Sequence, residues 1–152
     1  SEHGGIIKDG AKMVNAVSNS VVPKFTVIIG NSYGAGNYAM CGKAYDPRLI
    51  VAWPSANLAV MSGNSASQVL LQIEKAKLKK EGKQINPQEE QELLTNIQEK
   101  YNKQISPYYA AARLWTDAII DPKDTRKWIS MGIDAANNAP QKDKFNMGVL
   151  QV

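Results

Sequence analysis

The chain has 152 residues, enough for one domain with a sizeable core. Hydrophobic residues make up 43%, yet no apolar run approaches the roughly 20 residues needed to span a bilayer, which excludes a transmembrane helix. Lys and Arg number 18 against 14 Asp and Glu, for a net charge of +4. Much of that excess sits between Lys75 and Lys83 without interleaved aromatics, so it reads as a solvated helix face and not a nucleic-acid surface.

In chain order, the N-terminus "SEHGGIIKDG" lacks the charged start and apolar core of a signal peptide, and it lacks an initiator Met, as a processed or excised piece would. "GIIKDGAKMVNAVSNS" places Ile6, Gly10, Met13, Val14 and Val17 on one helical face, with Pro23 as the stop. "KFTVIIG" (24–30) is β-branched and nearly all apolar, which predicts a strand buried on both faces. The glycine-containing stretch that follows opens a short helix over 34–43, and "DPR" (46–48) reads as a turn. Strands are predicted over 49–53, ended by Pro54, and over 57–62.

The composition then shifts. Residues 68–83 and 88–104 are rich in Lys, Glu and Gln, with Leu93, Leu94, Ile97 and Tyr101 at helical spacing in the second segment. Asn86 suits an N-cap, Pro87 the first helical position, and Glu89 completes a capping-box pattern. The two segments form an antiparallel helical pair joined around "EGKQINP", with a charged face open to solvent or to a partner. "SPYYAAARLW" (106–115) predicts a short helix. A last helix begins with Asp121 as cap and Pro122 at its first position, burying Ile129, Ile133 and Ala136, before a partly extended tail beyond Pro140. There is no internal repeat and no low-complexity linker.

The usual side-chain catalysts are missing. The only histidine, His3, lies at a fraying end, so neither a Ser-His-Asp set nor zinc-ligand spacing can be built. Cys41 is the single cysteine, which rules out an internal disulfide and points to a reducing compartment; with no neighbouring base it reads as a small buried hydrophobe in a helix. Asp121 and Asp124 fit helix capping and first-turn charge better than a catalytic pair. What remains is "GNSYGAG", residues 30–36. Its spacing is neither a P-loop nor the G-x-G-x-x-G dinucleotide fingerprint. The free N–H groups of a helix start can face a phosphate, a nucleotide or a reacting carbonyl oxygen, or the glycines can serve only a tight strand-to-helix turn.

The stretch "GGIIKDGAKMVNAVSNSVVPKFTVIIGNSYGAGNYAMCGKAYDPRLIVAWPSANLAVMSG", with "EGKQINPQEE", "SPYYAAARLWTDAIIDPKDTR" and "AANNAP" after it, resembles the carboxyltransferase (beta) subunit of biotin-dependent acyl-CoA carboxylases over nearly the whole chain. Within that family it looks most like the methylcrotonoyl-CoA type, and "YGAGNY", standing where propionyl-type relatives carry a "YGGAY"-like turn, favours that type or the related geranoyl type. The resemblance implies an α/β crotonase-like fold, a spiral of stacked β-β-α units with an inserted helical pair at 65–105. It makes residues 1–152 a single domain, the C-terminal part of the second of two carboxyltransferase domains. It further implies a beta hexamer, a partner biotin carboxylase/biotin-carrier alpha subunit that delivers carboxybiotin, and an acyl-CoA substrate. The turn Tyr33, Gly34, Ala35 and Gly36 matches the family's biotin site. The backbone N–H groups of Ala35 and Gly36 match its oxyanion hole for the ureido oxygen, and the cofactor itself serves as base. The activity implied is transfer of CO2 from carboxybiotin to 3-methylcrotonoyl-CoA in leucine degradation. Its location would be the mitochondrial matrix in a eukaryote and the cytoplasm in a bacterium. The alternatives are a fragment inactive alone that retains only subunit and biotin-carrier contacts, or another carboxylase or decarboxylase of geranoyl-, propionyl- or glutaconyl-CoA type.

Overall fold

A computed structural model describes residues 2–82 and 86–138. Part of the predicted link between the helical pair, and the tail after Pro140, lie outside the described residues. A single 3-10 turn leads into helix α1, Ile6–Asn19. It ends four residues before Pro23: Ser20 turns extended, and Lys24 donates its ammonium to the carbonyls of Val17 and Ser20 at 2.9 and 3.0 Å. A lysine on these last carbonyls terminates the helix without help from proline. Val14 and Val17 are half-buried, but Ile6 and Met13 are 56% and 39% exposed, so only the C-terminal half of the expected face is covered.

Strand β1, Phe25–Ile28, is shorter than predicted and buries only Ile28 fully. It lies at the edge of a parallel sheet of order β1-β3-β5, not in its middle, which corrects the expectation of a strand buried on both faces. The chain bends at Ile29–Gly30 into β2, Asn31–Tyr33, a short polar strand hidden in the glycine-containing stretch, and then into α2, Gly34–Ala39. Helix α2 stops before Cys41, which is buried at φ 64° beyond the helix rather than inside it, and residues Lys43–Tyr45 form a 3-10 turn. The predicted turn at 46–48 begins with Asp46 at φ 50°.

Strand β3, Leu49–Ala52, is the central strand, and its Ile50, Val51 and Ala52 are at most 1% exposed. It pairs in parallel with β1, Phe25 opposite Leu49. After a bend at 53–56 the chain enters β4, Asn57–Ala59, parallel to β2 with Tyr33 opposite Ala59. The bends keep step: Trp53 and Asn57 donate backbone N–H groups to the carbonyls of Ile28 and Gly30. Each strand thus crosses from one ladder to the next beside its predecessor, and β1-β2-α2 and β3-β4-α3 are two successive β-β-α units.

Helix α3, Gly63–Lys80, starts earlier than predicted because Ser62 caps it, accepting from the N–H of Ser65. Helix α4, Pro87–Gln104, has the expected capping box, with Asn86 accepting from Glu89 N–H at 2.8 Å and the Glu89 carboxylate accepting from Asn86 N–H at 3.2 Å. The two run antiparallel: Gln98 reaches Ser67, and Lys75 pairs with Glu90. Helix α5, Pro107–Ala111, follows its Ser106 cap. Strand β5, Ala118–Ile119, was not foreseen; it completes the three-stranded sheet against β3. Asp121 caps a 3-10 turn, Pro122–Asp124, that runs on into α6, Thr125–Asn138. Ile133 is 45% exposed, contrary to its predicted burial. Helix α6 turns Gly132 inward instead, where a Cβ would lie 2.7 Å from the Phe25 ring, so the glycine sets how near the helix sits to the sheet. The core gathers Ile28, Ile50, Ala52, Ala56, Leu58 and Ala110 between the ladders and α5.

Candidate active site

The four residues singled out in the sequence are contiguous at one strand-to-helix junction. Tyr33 closes β2 and occupies the N-cap of α2; Gly34, Ala35 and Gly36 form the helix's first turn. No side chain caps this turn. First-turn N–H groups have no carbonyl of their own helix to donate to, so Ala35 and Gly36 present donors at the end of the β2-β4 ladder.

The two glycines do different work. Gly34 has φ 53°, and a Cβ there would stand 2.7 Å from the carbonyl oxygen of Val60. It alone lets the chain turn left-handed while lying against the residue just past β4. Gly36 is helical, and a Cβ there would meet nothing within 4 Å. The junction is tied below by Asn31, whose side-chain oxygen accepts from the Tyr33 hydroxyl at 3.2 Å and from the Asn57 amide at 3.0 Å.

Beside the junction lies a cleft of about 530 Å³, lined by Gly34, Tyr38, Lys43, Leu58, Val60 and Trp115 among others. Its wall is mainly apolar, with Lys43 supplying a cation. Lys43 pairs with Asp117 at 3.2 Å, and the other Asp117 oxygen accepts from the buried Ile50 N–H at 2.8 Å. Tyr38 lies against Tyr45 with ring centroids 4.7 Å apart. Desolvation of the Tyr45 hydroxyl, then its neighbour Tyr38, pushes the Tyr45 pKa up to about 12.

The residues set aside in the sequence stay apart from this junction. His3 is exposed in the N-terminal 3-10 turn. Cys41 is buried, and its carbonyl accepts from the Thr26 hydroxyl at 2.8 Å. The Asp121 carboxylate pairs with the Lys123 ammonium and also accepts from the Lys123 backbone N–H, which together hold its pKa below the usual value. Among the described residues, no three His, Cys, Asp or Glu side chains cluster closely enough to hold a metal ion, and no helix is long and apolar enough to cross a membrane. Sequence reasoning missed Val60, Lys43 and Trp115 as cleft residues, and Asp117 as the partner of Lys43. The topology brings them together from three separate segments, and no local spacing announces it.

The carboxyl transferase domain family matches residues 1–147. The chain is 50% identical over 148 residues to the probable mitochondrial methylcrotonoyl-CoA carboxylase beta chain of Drosophila melanogaster, covering 97% of this chain and 26% of that protein. It is 46% identical to the biotin-dependent 3-methylcrotonyl-coenzyme A carboxylase beta1 subunit of Mycobacterium tuberculosis, covering 99% of this chain and 28% of that one. Among solved structures it superposes on the hexameric transcarboxylase 12S with a TM-score of 0.81 at 33% identity, over 99% of this chain and 27% of that one. With the beta subunit of the P. aeruginosa geranyl-CoA carboxylase the TM-score is 0.78 at 38% identity, over 99% and 31%. The chain therefore spans about a quarter of the length of the curated relatives it matches.

Proposed function

The chain belongs to the carboxyl transferase domain family and has its crotonase-like fold, and from that premise we propose that it is the C-terminal part of the second domain of a biotin-dependent acyl-CoA carboxylase beta subunit. The complete enzyme transfers CO2 from carboxybiotin to 3-methylcrotonoyl-CoA. The observation that carries this reading is the near full-length similarity of the chain to methylcrotonoyl-CoA carboxylase beta chains from animal, slime mould, plant and bacterium. The partners are further copies of the subunit, in a hexamer like that of transcarboxylase 12S, and an alpha subunit that carries biotin. The location is the mitochondrial matrix for a eukaryotic chain and the cytoplasm for a bacterial one.

In this reading the junction at Gly34 is the chain's share of the active site. Ala35 and Gly36 would hold the biotin ureido oxygen through their N–H groups. The fit is supported by the uncapped first turn and by the open space over Gly36, which leaves a bulky ring room to approach the backbone. The chemistry supplied by biotin, when bound, is a transferable carboxyl group and a ureido anion able to accept the substrate's proton. The chain's own task is electrostatic. Two fixed N–H donors aimed where negative charge develops need no reorganisation during the reaction, and losing one such donor typically costs about 10²–10³ in rate. No side-chain base is needed at this junction. The cleft wall beside it is mainly apolar, so a ring seated there would cover the donors and strengthen these hydrogen bonds.

The test is reconstitution of the complete beta subunit with its biotin-carrying partner, ATP and bicarbonate. Carboxylation of 3-methylcrotonoyl-CoA should exceed that of propionyl-CoA and geranoyl-CoA by kcat/KM, whereas the 152-residue chain alone should be inert. A complete enzyme that prefers propionyl-CoA would overturn the substrate assignment, and robust turnover by the isolated chain would overturn the view that it holds only part of each site.

A further inference from the structure

One short path links the helical pair to the glycine junction. The hydroxyl of Tyr101, near the end of α4, donates to the carbonyl of Met61 at 2.9 Å and accepts from the N–H of Met61 at 3.4 Å. One side chain thus holds both backbone polar groups of a residue 40 positions away in sequence. Met61 follows Val60, whose carbonyl oxygen is the atom against which Gly34 packs. The β2-β4 ladder ends at Ala59, so the phenol takes over where backbone pairing stops. The same end of the helical pair grips the strand on either side. Leu58 N–H donates to the carbonyl of Ile105 at 2.9 Å, and Gly63 lies so near Asn102 that a Cβ would come within 2.7 Å of its side-chain oxygen.

We propose that Tyr101 is a positioning residue for carboxyl transfer, acting through Met61 and Val60 to fix the Gly34 turn and so the direction of the Ala35 and Gly36 N–H groups. The proposal rests on the reading of that turn as an oxyanion site. Releasing Met61 frees the Val60 carbonyl to withdraw from Gly34. The left-handed residue then loses the backbone that lies against it, and the next two peptides are free to swing. A hydrogen bond weakens steeply as its angle departs from linear, so a modest rotation of two donors lowers the rate without unfolding anything. Met61 and its surroundings are partly open to water, which can replace the lost partners but cannot fix the backbone in one place.

The experiment is Tyr101→Phe in the complete enzyme, which keeps the ring and removes only the hydroxyl. Thermal midpoint and oligomer size should stay near native. The kcat of free-biotin-dependent carboxyl transfer should fall about tenfold, with KM for the acyl-CoA unchanged. Combined with Gly34→Ala, the loss should be smaller than the product of the single losses, because both changes disturb one seat. A purely structural tyrosine would instead lower the midpoint and leave kcat per folded enzyme intact, which overturns the proposal, as would strictly multiplicative losses. Gly36→Val separates the two levels. If it abolishes transfer while Tyr101→Phe leaves kcat untouched, the positioning role fails and the site stands. If Gly36→Val itself transfers normally at native stability, the site reading fails and takes this proposal with it.

Discussion

Substituting the two glycines of the turn one at a time separates fold from chemistry. In Gly34→Ala the new residue sits at φ 53°, a left-handed conformation that costs an L-residue about 1–2 kcal/mol. Its Cβ would also stand 2.7 Å from the carbonyl oxygen of Val60, a backbone atom just past β4. Crowding of that kind adds about 1–3 kcal/mol, for a total of about 3 kcal/mol. That corresponds to a midpoint drop of roughly 6–12 °C if the domain unfolds as a unit of 150–250 residues. Gly36→Val meets no such wall: the position is helical, the space above it is empty, and glycine is itself a poor helix former, so stability should change by less than about 0.5 kcal/mol. Its isopropyl group should nonetheless crowd a ring seated on the N–H donors, with an expected loss near a hundredfold in carboxyl transfer, comparable to losing one oxyanion donor. Both variants would be made in the complete enzyme, and thermal midpoint, oligomer size and free-biotin-dependent transfer read on the same sample. A native midpoint for Gly34→Ala would refute the close-approach argument. A Gly36→Val enzyme with native midpoint, native assembly and undiminished transfer would refute the assignment of the turn.

Other outcomes follow from the cleft and the helical pair. Asp117→Ala leaves the N–H of Ile50, 1% exposed, without its acceptor and should cost about 1–3 kcal/mol by equilibrium denaturation, whereas Asp117→Asn keeps an acceptor and should cost clearly less. The Tyr45 hydroxyl, with its pKa raised to about 12, contributes stability that is complete below the ordinary tyrosine value near 10 and is lost as pH climbs from there through 12. Phenolate absorbance compared with Tyr45→Phe should show one late-titrating tyrosine. Asn86→Ala breaks the capping box and should lower stability by about 1 kcal/mol in thermal unfolding, while Asn86→Ser should restore most of it.

Much of this architecture could be read from the residues because its signals are local. The capping box of α4 needs only Asn86, Pro87 and Glu89 in order, and the structure closes both of its hydrogen bonds. Strand β3 was legible from "LIVAW" because a central parallel strand is apolar throughout. Strands β2 and β5 were not. Three and two residues long, the first of them polar, they carry no periodicity and exist because β4 and β3 lie alongside them. Burial of Ile133 was misjudged for a related reason. Spacing gives a helix's apolar stripe but not its contact point, and the small residue Gly132 allowed α6 to approach Phe25 there. At the candidate site, residues 30–36 stand out in the sequence as a strand-to-helix turn, and the narrower set Tyr33 to Gly36 comes from the family resemblance. Which glycine is conformationally obligatory could not be read there, since that depends on Val60, brought into place by a different strand.

The contact between Gly63 and Asn102 has a consequence for how the chain assembles. The helical pair leaves the β-β-α spiral and re-enters it at nearly the same point, so the contacts that close it span fewer positions than those of β5 with β3. Once the hairpin is closed, the stretch that must still be searched before β5 finds its place is roughly 2.4-fold shorter, and because closure entropy grows only with the logarithm of loop length, the saving is about 0.8 kcal/mol. An excursion of this kind adds dozens of residues yet leaves the spiral facing almost the same topological problem as a chain without it.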